Sequence, residues 1–169
     1  DYDGYWNSII FDGQGSGNGV LEHVVVEYGG AQGVAGNGPG MITVWNGAHV
    51  EISDSVIARG DGIGIHIDRS GASIRNSFIE DNSGHGIYLV DSSPEIIGNT
   101  FSGNAPGGIM LETVDGGAYP SFDGNSFSPE DTIGVAGNIL ESGTWEFAGS
   151  AYVIWPGAGS TGQMTIERG

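Results

Sequence analysis

The amino-acid sequence predicts an all-β solenoid, a parallel β-helix in which one coil takes about 22 residues. Three observations predict this fold. Short apolar segments recur at a nearly constant step, apolar and polar residues alternate within the segments, and Gly, Asn, Asp and Ser bound them. No stretch keeps the 3.6-residue period that an amphipathic helix requires, so helical classes are excluded.

The first column of predicted strands shows the alternation most clearly. Its members are "MITVW" (41–45), "GIHID" (64–68), "GIYLV" (86–90) and "GIMLE" (108–112). In each segment two apolar residues flank one residue of the opposite face, as Ile65 and Ile67 flank His66. Alternation over a short segment between turn residues is typical of a half-buried strand. We therefore expect the apolar members to form inward columns.

A second column of strands repeats at the same step. Its members are "ISDSVI" (52–57), "IRNSFI" (74–79), "IIGNTF" (96–101) and "FDGNSF" (122–127), with successive steps of 22, 22 and 26 residues. Strands so close in sequence cannot form an ordinary parallel sheet, whose connections take a dozen or more residues. Coils stacked about 4.8 Å apart solve this problem, so residues 22 apart should lie one above the other.

The turn residues follow the same register. Asn82 and Asn104 fall in one column, where asparagine can hydrogen-bond along a stack and adopt a left-handed backbone conformation. Two arginines align with an aspartate one coil later: Arg59 with Asp81, and Arg69 with Asp91. We expect surface ion pairs at these positions, each worth about 0–1 kcal/mol, that help to set the register.

The charge limits the classes of partner. The chain has no lysine, and four arginines face 21 carboxylates, which gives a formal net charge of −17. Such a surface repels nucleic acid and anionic lipid headgroups, so we expect no nucleic-acid binding. We also expect no membrane insertion, because no apolar run approaches the roughly 20 residues of a membrane span. No cofactor is expected, although the acidic surface leaves weak Ca²⁺ binding open.

The repeat resembles a known family. The pattern "GIxI…I(R/x)NSxIxxN" over residues 64–104 resembles the right-handed parallel β-helix repeats of the pectin-lyase-like superfamily. "YWNSIIFDGQGSGNGVLEHVVVEYGG" (5–30) is similar to a run in large bacterial and archaeal surface β-helix proteins, with Ser8 in place of a glycine. The tail (149–169) resembles the start of a further block in such proteins, with Arg168 in place of a proline. This resemblance implies a right-handed coil and an extracellular, cell-surface location.

We expect residues 1–169 to form one module of six to seven coils. Residues 1–40 hold the first coils, 41–130 the regular 22-residue coils, and 131–169 a less regular end. The module is expected to be a segment of a longer chain or a repeating subunit, since uncapped solenoid ends expose strand edges that can add further strands.

The tryptophans near the two ends admit two interpretations. Trp6, Trp145 and Trp155 either fill the interior of the coil or pack in an end-to-end contact. The sequence alone does not choose between them.

The candidate binding surface is the set of outward positions of the first column, which we call the outer strip. Its members are Trp45, His66, Asp68, Tyr88 and Glu112. Aromatic faces beside carboxylates favour sugar binding, and the alternative is an ordinary mixed outer face.

No catalytic set is predicted on the outer strip. The resemblance implies either an acidic calcium site with an arginine base or a tight aspartate cluster for enzymes of this superfamily. Asp68 and Glu112 lie two coils apart, about 9.6 Å, at the far limit for an inverting glycosidase pair. No arginine lies on the strip. The four histidines fall in different columns, so no metal site is predicted either: His23, His49, His66 and His85.

These observations favour a non-enzymatic extracellular module of a surface layer, adhesin or filament. Its expected partners are copies of itself or neighbouring blocks of the same chain. The alternative is a carbohydrate-binding or polysaccharide-degrading β-helix, with glycans as partners, so enzymatic activity stays open.

Overall fold

The computed structural model describes residues 6–15, 17–30, 40–155, 159–160 and 164–166. The first three coils contain β1 (Ile9–Asp12), β2 (Asn18–Glu22), β3 (Val25–Glu27), β4 (Ile42–Trp45), β5 (His49–Ser53), β6 (Val56–Ala58), β7 (Ile65–Asp68), β8 (Gly71–Arg75) and β9 (Phe78–Glu80). The next two coils contain β10 (Ile87–Val90), β11 (Glu95–Ile97), β12 (Thr100–Ser102), β13 (Ile109–Thr113), β14 (Ser121–Asp123) and β15 (Ser126–Phe127). The chain continues through β16 (Ile133–Ile139), β17 (Gly143–Trp145), β18 (Tyr152–Ile154), β19 (Gly159–Ser160) and β20 (Met164–Ile166).

Equivalent strands of successive coils pair in parallel and form three sheets. Sheet 1 has the order β1-β4-β7-β10-β13-β16-β18, sheet 2 the order β2-β5-β8-β11-β14, and sheet 3 the order β3-β6-β9-β12-β15. A 3-10 turn at Gly13–Gly15 follows β1, and no helix in the described ranges is long and apolar enough to cross a membrane. The predicted all-β solenoid is confirmed.

Five coils contribute a strand to all three sheets. Beyond them, β16 and β18 extend sheet 1, β19 pairs with β16, and β17 pairs with β20. The solenoid thus has about five full coils, slightly fewer than the six to seven predicted. The last three residues, including Arg168 of the resemblance in the tail, lie outside the described ranges.

The strand register confirms the 22-residue step. Ile65 pairs with Ile87, and Ile87 pairs with Ile109; all three side chains are fully buried. Where a coil is longer, the additional residues lie between strands, so Phe122 still pairs with Ile96 across 26 positions. Stacking repeats one environment at every step, which is why the same residue types recur.

The core is a set of inward columns from the three sheets. Sheet 1 supplies two columns: Ile42, Ile65, Ile87, Ile109 and Ile133, and beside them Val44, Ile67, Leu89, Leu111 and Val135. Sheets 2 and 3 supply Ile52, Ile74, Ile96 and Phe122, and Val26, Ile57, Ile79 and Phe101. Burial of one such aliphatic side chain contributes about 1.5–3 kcal/mol relative to exposure. The core therefore runs the length of the coil stack.

Each corner of the coil begins with a residue in left-handed backbone conformation. Corner 1, after sheet 1, has Asn46, Arg69 and Asp91; corner 2, between sheets 2 and 3, has His23, Asp54, Asn76, Gly98 and Gly124; corner 3, after sheet 3, has Tyr28, Arg59, Asp81 and Gly103. Glycine, Asn and Asp adopt positive φ at low cost, so these corners account for many of the recurring turn residues. Our prediction of this conformation at Asn82 and Asn104 is wrong, because the left-handed positions lie one residue earlier.

At eight of these twelve left-handed positions the next residue is Ser or Asn, and its side-chain oxygen accepts a hydrogen bond from a backbone N–H of the preceding coil. At corner 2, Ser77 Oγ accepts from the N–H of Ser55 at 3.2 Å, and Asn99 Oδ1 accepts from the N–H of Ser77 at 2.9 Å. Asn125 Oδ1 accepts in turn from the N–H of Asn99 at 2.9 Å. This ladder satisfies backbone groups that the turn would otherwise leave buried and unpaired.

Corner 3 carries a second ladder, which confirms the predicted stack of asparagines. Asn82 Nδ2 donates to Asn104 Oδ1 at 2.9 Å, and Asn104 Nδ2 donates to Asp131 Oδ1 at 2.9 Å. Asp131 is fully buried, and its other carboxylate oxygen accepts from Ser128 Oγ at 2.6 Å. A carboxylate therefore ends the ladder and makes hydrogen bonds through both oxygens.

One of the two predicted ion pairs is present. Arg69 reaches Asp91 at 3.4 Å, as predicted. Arg59 pairs instead with Glu27, one coil earlier, so the predicted contact with Asp81 is wrong. Asp81 points toward the next coil, where its Oδ1 lies 2.5 Å from the position that a Cβ would take at Gly103. Arg59 therefore pairs with a carboxylate of the preceding coil and not of the following one.

Candidate functional site

The outer strip lies on the outer face of sheet 1, where its residues share two adjacent rows. The first row pairs Thr43, His66, Tyr88 and Met110, and the second pairs Asp68, Val90 and Glu112. Trp45 pairs with Asp12 of the first coil. The register predicted for the strip is thus correct, although that alone does not test sugar binding.

The first row of the strip is covered, whereas the sequence suggested an open face. His66 is 8% exposed and Tyr88 is 6% exposed. Ile63, at corner 3, packs with Tyr88, and the ring of His85 lies 5.7 Å from the ring of Tyr88. Trp155 lies 5.9 Å from His85. Side chains from a corner and from the last coil therefore cover one side of the strip.

The two carboxylates of the strip each have a partner. Tyr88 donates its hydroxyl hydrogen to Glu112 Oε2 at 2.8 Å, and burial together with this bond raises the pKa of Tyr88 well above its usual range. Asp68 pairs with Arg69 at 3.1 Å. Both carboxylates are thus held by neighbours, an arrangement that does not resemble a pair poised around a water nucleophile.

His66 and Trp45 carry buried polar atoms. Among the described residues, both ring nitrogens of His66 are buried without a hydrogen-bond partner, and the Nε1 atom of Trp45 is buried with a weak interaction with the Asp12 carboxylate. Burial lowers the pKa of His66, against the opposing effect of Asp68 and Glu112, so the imidazole is neutral and offers one donor and one acceptor. An unpaired buried polar group costs about 1–3 kcal/mol, so a ligand that pairs with these atoms would recover that cost.

The three tryptophans occupy different environments. Trp145 is fully buried, donates from Nε1 to the carbonyl of Ala118 at 2.9 Å and stacks on Tyr152. It fills the interior of this chain, as in the first of the two interpretations. Trp6 is half-buried against the core and donates to the carbonyl of Glu27, while Trp155 is at the surface. An end-to-end contact therefore stays a prediction for Trp6 and Trp155.

The structure also brings together three residues that the sequence did not connect. Glu22, His23 and Asp54 are exposed, and one donor atom from each lies within 4.8 Å of the others. His23 and Asp54 share corner 2 in adjacent coils but are separated by 31 residues, so a search at the 22-residue step misses them. An alignment of the sequences of β2 and β5 would have indicated this cluster, because Glu22 pairs with Ser53 and His23 therefore lies beside Asp54.

Comparison with known protein families supports the coil architecture. The family model described as "Right handed beta helix region" matches residues 7–137, which is more than half of the chain. No curated protein and no solved structure matches the chain. The match agrees with the coil architecture and assigns no role to any residue.

Proposed function

Since the chain belongs to the right-handed β-helix family, we propose that it is a structural or adhesive module of an extracellular, cell-surface protein. In this proposal its terminal coils associate end to end with a second copy or with a neighbouring block of the same chain. The resemblance to surface β-helix proteins supports the location, and the surface of the last coil supports the mode of association.

The exposure of Ile154 is the observation that carries the proposal. Ile154 pairs with Val135 and so belongs to an inward column of sheet 1. It is 52% exposed, whereas Val135 and Leu111 in the same column are fully buried. The apolar interior thus reaches solvent at this coil, and a further coil placed on it would bury the side chain.

Exposed apolar side chains are concentrated at both ends of the described coil stack. The first coil and the region from Leu140 onward contribute nine of the eleven large ones: Ile10, Val20, Val25, Tyr28, Leu140, Phe147, Val153, Ile154 and Trp155. The other two are Phe78 and Val114. Ile10 and Val153 point outward from sheet 1, and Ile154 belongs to an inward column. Association of the terminal coils would bury such side chains, and a head-to-tail contact propagates into a filament unless rotation closes it.

The net charge of −17 predicts how such an association depends on salt. Copies of an acidic chain repel each other, and the repulsion weakens as the Debye length falls from about 8 Å at 0.15 M to about 3 Å at 1 M salt. We expect association to strengthen with added NaCl, which is the reverse of a contact held by surface ion pairs.

Sedimentation velocity at increasing NaCl concentration tests the proposal. The wild-type chain should form concentration-dependent oligomers at high salt, and Ile154→Glu should keep it monomeric. Phe78→Glu is the matched control, because Phe78 is 50% exposed but lies in a middle coil, and it should associate as wild type does. A wild-type chain that stays monomeric throughout, or a control that abolishes association equally, would contradict the proposal.

A second candidate function is carbohydrate binding at the outer strip. The nitrogens of His66, unpaired among the described residues, favour it, because a sugar hydroxyl can both donate and accept once the side chains that cover the strip move aside. A glycan array with neutral and acidic glycans should then show a bound ligand that is lost in His66→Phe and kept in His49→Phe. An assay for cleaved or unsaturated products would separate binding from degradation. Absence of binding across the array would eliminate this candidate.

A further inference from the structure

We propose that Glu22, His23 and Asp54 form a binding site for one transition-metal dication of the Zn²⁺ class on the outer surface of corner 2. The cluster offers one imidazole nitrogen and two carboxylate oxygens, with the three donor atoms within 4.8 Å of one another. The site is separate from the outer strip. It spans the first two coils, and the first of these also carries Val20 and Val25 of the end proposed above for association.

The corner geometry explains why these side chains meet. His23 and Asp54 both have left-handed backbone conformation, with φ of 54° and 49°, and they occupy the same position in adjacent coils. Side chains at such positions extend along the coil axis: Asn76 Oδ1 lies 2.7 Å from the position that a Cβ would take at Gly98 in the next coil. The imidazole of His23 is therefore brought to the carboxylate of Asp54, and Glu22 precedes it on the same strand end.

The donor spacing suits a small dication. His23 Nε2 lies 3.9 Å from Glu22 Oε1. Tetrahedral zinc with bonds of about 2.0–2.2 Å places its donor atoms about 3.4 Å apart. Side-chain rotations that move the donor atoms by less than about 1.5 Å would therefore bring all three to bonding distance of one ion. The side chains of His23 and Glu22 are 73% and 59% exposed, which leaves room for that adjustment and for a water ligand.

The charge of the cluster is uncompensated in the described part of the chain. The arginines there pair elsewhere: Arg59 with Glu27, Arg69 with Asp68, Asp91 and Asp115, and Arg75 with Glu95. Two free carboxylates beside an imidazole therefore hold a net negative charge that a dication would neutralise. The nitrogen donor favours Zn²⁺, because Ca²⁺ prefers six to eight oxygen ligands.

Isothermal titration of the intact chain with Zn²⁺ tests this site. We expect one saturable equivalent, with affinity at least about tenfold weaker in His23→Asn, Asp54→Asn and Glu22→Gln, since even an outer hydrogen-bond partner of a ligand is worth that much. Asparagine keeps the left-handed backbone accessible at both corner positions. The matched control is His49→Asn, which removes an exposed histidine outside the cluster and should bind Zn²⁺ as wild type does.

Two results would overturn the proposal: absence of saturable Zn²⁺ binding, or a loss in His49→Asn as large as in His23→Asn. Far-UV circular dichroism checks that each variant is folded. NMR of the wild-type chain provides an independent test, because the first equivalent of Zn²⁺ should shift the His23 ring signals and leave those of His49 in place. The same titration with Ca²⁺ should produce no such selective shift.

Discussion

Replacement of Asn99 by alanine should destabilise the solenoid more than any surface substitution. Asn99 is fully buried at corner 2, where its Oδ1 accepts from the N–H of Ser77 at 2.9 Å. Its Nδ2 donates to the carbonyl of Ile74 at 2.8 Å and to Asn125 Oδ1 at 3.2 Å. One side chain thus links three successive coils.

The magnitude follows from the groups that lose a partner. The N–H of Ser77 would stay buried without an acceptor, which costs about 1–3 kcal/mol. The two bonds donated by Asn99 contribute about 1 kcal/mol each. We therefore expect Asn99→Ala to lower the free energy of unfolding by about 4 kcal/mol, a large part of the roughly 5–15 kcal/mol of a typical domain.

Urea denaturation followed by circular dichroism measures this loss. With an m value of about 2 kcal/mol/M, the midpoint should fall by about 2 M. Asn99→Ser is the informative comparison, because Ser77 in the same column already accepts an N–H through its hydroxyl; we expect it to cost about 1 kcal/mol. The exposed Asn138→Ala should change stability by less than about 0.5 kcal/mol. Equal midpoints for the alanine and serine variants would refute the ladder argument.

Two further predictions concern a buried histidine and a crowded glycine. Burial lowers the pKa of His85 to about 4, against the opposing bond to the carbonyl of Gly107, so the unfolded chain binds more protons between pH 6.5 and 4. The His85 contribution to stability is therefore complete above about pH 6.5 and falls by about 3 kcal/mol toward pH 4. In urea titrations at a series of pH values, His85→Gln should lose less free energy of unfolding between pH 6.5 and 4 than wild type does. An equal loss in the two proteins would contradict this prediction. Gly98→Ala should cost about 1–2 kcal/mol, because φ is 67° there and the exposed Asn76 side chain must rotate away from a Cβ 2.7 Å from its Oδ1, whereas Gly47→Ala meets nothing within 4 Å and should cost about 1 kcal/mol. Equal midpoints for the two alanine variants would show that the contact with Asn76 is unimportant.

The fold was predictable because stacking repeats one environment at every coil. Ile65, Ile87 and Ile109 occupy equivalent inward positions, so the same residue type recurs at a step of 22 and reveals the register. The position of left-handed backbone was less predictable. Asp81 and Asn82 are both turn formers, and only the structure shows that the first turns the chain while the second points inward.

The burial of the outer strip depends on side chains that lie outside the strip itself. Ile63 and His85 occupy equivalent positions of corner 3, 22 residues apart, but the next position at that step is Gly107, and Trp155 reaches His85 from the last coil. The 22-residue step predicted that His66 and Tyr88 share a row, but it did not predict that their side chains are buried. The sequence did not indicate that Asp54 lies beside His23, because the step between their coils is 31 residues and not 22.

Scalar couplings across backbone hydrogen bonds test the coil stack most directly. The structure places the N–H of Ile65 at 2.9 Å from the carbonyl oxygen of Gly86, and that of Ile87 at 2.9 Å from the carbonyl oxygen of Gly108. A long-range HNCO experiment should therefore correlate the Ile65 nitrogen with the Gly86 carbonyl carbon, and the Ile87 nitrogen with that of Gly108. Correlations of these two amides with any other carbonyls would contradict the 22-residue coil and everything built on it.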